Sequence, residues 1–136
     1  MLSRRMKKLI TVTLVLVLIV LAAWGLIRML PQGFSTDLSL VGAGERAVVL
    51  VHDHNFVESV ELMEALDGVR QRHPEAMHYL VADLNTPRGT RFADLYDVDA
   101  VTLILFDQHG NRVATLRGRQ GRDEVEAWLQ DNLPPY

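Results

Sequence analysis

Ala47-Val48-Val49-Leu50-Val51 is five apolar residues in a row, three of them β-branched, and it runs straight into His52-Asp53-His54-Asn55-Phe56. An unbroken run of this kind suits a strand covered on both faces, which requires helices on either side of its sheet. Outward from it the pattern alternates. Asn55 followed by Glu58 has the form of a capped helix start. It predicts a helix over 56–72, with Val60, Met63, Leu66 and Val69 buried, Glu61, Glu64 and Asp67 facing water, and Pro74 as the stop. A strand over 78–83, a turn over 85–89 and a short helix through Phe92, Ala93, Leu95 and Tyr96 follow. A strand over 102–106, a hairpin turn over 107–111 and an alternating strand over 112–117 come next. A last amphipathic helix over 123–133 buries Val125, Trp128 and Leu129. The order predicts an α/β domain with two parallel crossovers, then an antiparallel pair, and helices on both faces of a mixed sheet.

Before this domain, residues 9–27 carry no charge and are almost wholly apolar. At ~1.5 Å per residue they make roughly 28 Å of helix, about one bilayer core. The run is longer than the apolar region of a cleavable signal peptide, and Ala22 and Ala23 lack a small residue at the spacing that cleavage needs. A retained transmembrane helix over 9–30 is therefore expected, carrying Leu9, Leu14, Leu18, Leu21 and Ile27 and packing in the bilayer against partner helices, with Trp24 at the interface and Pro31 as the stop. Thr11 and Thr13 are expected to bond back to their own helix. Arg4, Arg5, Lys7 and Lys8 precede the span and only Arg28 follows it closely, which places the 1–8 stub in the cytoplasm. The domain at 46–136 then lies across the membrane, in the periplasm of a bacterium. Residues 31–45 read as a linker, with a short strand at 38–41.

The chain has 136 residues, 49% of them apolar, and no cysteine. That excludes disulfides, thiolate metal cages and cysteine nucleophiles. Beyond residue 31 there are nine Arg, no Lys and all 17 acids, a formal charge of −8. Such a domain repels phosphate backbones, so nucleic-acid binding is not expected.

The element order at this length resembles the thioredoxin fold over residues 46–133. Residues 48–52 look like the strand leading to that family's active site, 92–98 like its Tyr-Gly-Val-type helix ending, 102–110 like its third strand and hairpin, and 124–129 like its terminal helix. The resemblance implies Phe56 and Ser59 at the positions of the family's two active-site cysteines, and Leu50 at that of its buried acid. Val101 runs straight into Thr102 where the family has a cis-proline. The resemblance is thus to a redox-inactive form of the fold.

The candidate chemistry is sparse. His52, Asp53 and His54 are metal-ligating residue types, yet alternate residues of an extended chain share a face and two imidazoles fall short of a usual ligand set. Ser59 with His54 as base lacks an oxyanion loop and a third member. Glu58 and Glu61 fit a solvated helix face, and 118–122 lacks the end of a phosphate loop. The expected protein is therefore non-enzymatic, without a cofactor or small-molecule substrate. It acts by contact with subunits of a membrane complex through Phe56, Val57 and Val101, and the alternative is a metal-handling domain built on His52, Asp53 and His54.

Overall fold

The computed structural model describes residues 3–29 and 33–133, and the chain divides into a unit ending at Gly33 and a unit beginning at Phe34. In the first unit a single helix, α1, covers Arg4–Met29. It starts four residues into the basic stub because Ser3 caps it, its Oγ accepting from Met6 N at 3.2 Å. Thr11 and Thr13 donate to Lys7 O and Leu9 O at 2.9 Å, so both hydroxyls are satisfied within the helix. Leu9, Leu14, Leu18, Leu21, Trp24 and Ile27 are all exposed on this unit, and the Arg28 guanidinium lies 4.3 Å from the Trp24 ring centre. Among the described residues this is the one helix long and apolar enough to cross a membrane. Pro31, expected as its stop, lies outside the described residues.

The second unit is built on β1, Ala47–His52, whose first five residues are fully buried. β2 (His78–Asp83), β3 (Thr102–Phe106) and β4 (Arg112–Arg117) join it in a four-stranded sheet of order β2-β1-β3-β4. α2 (Val57–Arg72) and α4 (Arg122–Asn132) cover one face, and α3 (Pro87–Tyr96) covers the other. Alternation along β1 divides the core. Val48 and Leu50 pack with Leu62, Leu66, Val69, Val125 and Leu129, while Ala47, Val49 and Val51 pack with Phe92, Ala93 and Phe106. Phe92, Tyr96 and Phe106 close the second face as an aromatic trio with ring centres 4.7–6.0 Å apart.

Several expectations are corrected. Only β1-α2-β2 is a parallel crossover; β3 runs antiparallel to β1, with Val51 opposite Thr102. The chain leaving α3 re-enters the sheet at the end where β1 finishes, Val101 N donating to Val51 O at 3.1 Å, so it must run back. The strand expected at 38–41 is instead a 3-10 turn over Leu38–Leu40, capped by Asp37. Ser35 instead bridges Leu80 at the β2 edge, its carbonyl accepting from Val81 N at 3.0 Å. Leu38, Leu40 and Val41 then pack on the α3 face. The residues read as a turn at 85–89 are mostly helix, because Pro87 serves as its first residue and Thr86 Oγ1 accepts from Gly89 N. On α2 the buried residues are Ser59, Leu62, Ala65, Leu66 and Val69; Val60 is exposed and Met63 only partly covered.

Candidate functional site

β1, β2 and the start of β3 meet at one end of the sheet, where the β1-to-α2 turn stands. Asn55 is not the helix cap. Phe56 takes that place without a side-chain bond, because the Asn55 amide is turned onto Asp53 Oδ1, at 3.0 Å from its backbone N and 2.8 Å from Nδ2. The Asn55 amide, first among its causes, holds the Asp53 carboxyl below the usual aspartate range, with Asn85 adding to it.

Ser59 is fully buried in the first turn of α2. Its Oγ accepts from Asp53 N at 3.0 Å and lies 2.9 Å from His52 Nδ1. Since the hydroxyl accepts from the amide, its own proton is free to go to the imidazole. The hydroxyl pairs with His52, and not with the His54 considered from sequence. Enclosed in this way it ties the turn to the helix and has no open side for a substrate. His54 is exposed, its Nδ1 2.9 Å from Asn85 Nδ2. Asn85 Nδ2 also lies 3.3 Å from Asp53 Oδ1 and 3.2 Å from Asp83 Oδ1. His52 Nδ1 is thus turned to Ser59 while Asp53 and His54 share Asn85 Nδ2, and among the described residues no group of three or more His, Asp or Glu could hold a metal ion.

Phe56 and Val57 stand out from this braced turn, 50% and 69% exposed, with Val60 beside them at 40%. Val101 is half-buried, its side chain against the α2/α4 core. It adopts φ +62°, a left-handed conformation costly for a β-branched residue. Two bonds hold it there, Val101 N to Val51 O and Gly118 N to Val101 O at 2.8 Å. His78 and His109 are elsewhere, His78 paired with Glu45 at 3.0 Å and His109 in the β3–β4 turn. Glu61 does not pair with Glu58 but with Arg119, whose Nη2 donates to Oε1 at 2.6 Å.

Sequence reasoning missed the Ser59–His52 bond, the role of Asn85 and the strain at Val101. Asn85 was discoverable only through the parallel register that sets His52 beside Asp83.

Comparison with known proteins agrees with this architecture. No family model matches the chain, and no curated protein matches it significantly. Among solved structures it is similar to Trxlp, a thioredoxin-like protein from Edwardsiella tarda EIB202, with a TM-score of 0.61 at 16% identity. The match covers 71% of this chain and 96% of that one. The domain has a thioredoxin-like fold, with an apolar helix N-terminal to it and no cysteine anywhere in the chain.

Proposed function

We propose that this protein is a non-catalytic, membrane-anchored thioredoxin-like domain that works by protein contact, as an accessory or assembly subunit of a bacterial inner-membrane complex. The observation that carries the reading is the turn between β1 and α2. Where the fold's chemistry would need two thiols it has a capping Phe56 and an enclosed Ser59, and it presents Phe56 and Val57 to solvent from a backbone fixed by Ser59, Asp53 and Asn55. A fixed apolar surface loses little conformational entropy on docking, which favours recognition over turnover.

In this reading α1 spans the bilayer, the basic residues before it stay in the cytoplasm, and the acidic domain works in the periplasm. Anchoring confines domain and partner to one surface, so a weak contact suffices. The test is purification of the full chain from its native membrane in mild detergent. A partner at fixed stoichiometry, lost when Phe56 and Val57 are both changed to Ser, is the expected result; a chain that always emerges alone sinks the proposal.

A further inference from the structure

Resting on the contact reading above, we propose that the patch of Phe56, Val57 and Val60 receives a cationic apolar segment of the partner protein, a Lys or Arg next to a large apolar side chain. The three side chains are exposed within one helical turn and provide the apolar half of such a site. Carboxylates provide the other half. Asp53 lies in the same turn, Phe56 N donating to Asp53 O at 3.1 Å, and Glu58 is exposed in the first turn of α2. Asp83 closes β2 beside His52, and Asp99 is exposed two residues before Val101. On the positive side Arg117 stands opposite Thr102, Arg119 is already bound by Glu61, and Arg88 and Arg91 line a cavity with Asp83, so the charge beside the patch rests on Asp53 and Glu58.

The hydrogen-bond inventory points the same way. The bonds to Asp53 from Asn55 and Asn85 all end on Oδ1, so its Oδ2 stands outside that set. Asn85 Nδ2 lies within 3.3 Å of Asp53 Oδ1, Asp83 Oδ1 and His54 Nδ1, which draws the two carboxylates to one side chain. The carboxylates of Asp53 and Glu58 thus carry negative charge beside an apolar surface, and an ammonium or guanidinium pairs with them while its neighbour covers Phe56. An acidic partner is repelled by these carboxylates, and a purely apolar one leaves their charge unpaired.

The experiment places a photo-crosslinking residue at Val57 of the full-length chain in its native membrane and sequences the partner peptide that is captured. The expected adduct contains Lys or Arg adjoining a large apolar residue. Its yield should fall about three- to tenfold in an Asp53→Asn/Glu58→Gln variant, and likewise at about 1 M salt, where charges are screened beyond ~3 Å. Asn at 53 keeps an oxygen for the Asn55 amide, so the turn is retained, and circular dichroism checks the fold. Capture of a neutral or acidic segment, or a yield indifferent to the charge variant, overturns the inference while leaving protein contact standing. Absence of any protein adduct overturns both.

Discussion

Ser59 shows how one buried hydroxyl can brace a whole turn. Its hydroxyl satisfies the Asp53 amide and meets the His52 ring, and it is fully buried. Ser59→Ala should therefore cost about 1–3 kcal/mol, the usual penalty for leaving a buried donor unpaired, and should speed hydrogen exchange at the Asp53 amide. Chemical unfolding and exchange of the purified protein measure both; an unchanged stability contradicts the bracing role. Gly89 is a second position where a single atom decides. A Cβ there would sit 1.8 Å from Asp83 O, so the helix start and the end of β2 can approach only through glycine. Gly89→Ala should destabilise by more than about 3 kcal/mol, beyond ordinary surface substitutions. At this scale the sequence showed which residues stand in the turn, because Phe56 and Ser59 are found by counting from the strand. It did not show their bonds, which depend on the backbone turning Asp53 toward Asn55 and on β2 carrying Asn85 alongside.

Among the elements, α2 was placed correctly and its buried face only in part, since Leu66 and Val69 are buried but Val60 is exposed and Leu62 was missed. Residues 60, 63, 66 and 69 step by three, and at about 100° per residue such a series drifts ~60° backward at each step, leaving the face it started on. The set 59, 62, 66 and 69 mixes steps of three and four and stays in line, which is the row the structure buries. Leu62→Ala should cost about 2–5 kcal/mol as a cavity in the core, whereas Val60→Ser should cost under ~0.5 kcal/mol and act only on partner capture. Unfolding midpoints of the two variants side by side check this; equal losses would restore the face read from sequence. The direction of β3 was hidden for a different reason. An apolar strand buried on both faces has the same pattern whichever way it runs, and its sense is set by the antiparallel register from Ala47 opposite Phe106 to Val51 opposite Thr102. The segment before β1 was underread because its packing is carried by backbone approach: Gly42, at φ +80°, lies against Gly110, at φ +84°, where a Cβ on either would come within 3.1–3.3 Å of the opposite backbone.

For the whole molecule, the proposed function makes charge and anchoring the two features to test. The Asp37, Asp107 and Glu126 carboxyls, like that of Asp53, lie below their ordinary values of 3.8 for aspartate and 4.5 for glutamate. Bonds from Ser39, Asn111 and His73, respectively, are the largest causes for the first three. A lowered folded value means stability that is fully present above the ordinary value and lost as pH falls through the lowered one. Thermal unfolding of the full chain in zwitterionic detergent should hold level from neutrality down to about pH 5 and then drop; stability that rises on acidification would contradict it. The proposed span raises a separate question, since α1 in a membrane can serve as a tether or as a contact surface. Both of its hydroxyls are used internally and its apolar residues are Leu, Ile and Val over most of its length, which suits lipid better than a close helix partner. Tethering multiplies a weak contact through an effective concentration that reaches the millimolar range, and it does so whatever the sequence of the tether. Replacing residues 9–27 by an unrelated apolar span should therefore leave partner recovery within about twofold. Deleting the span and exporting the domain should lose recovery, even though Phe56 and Val57 remain. Loss of the partner on the exchange alone would show instead that α1 itself makes the contact, and would move the recognition surface from the domain into the bilayer.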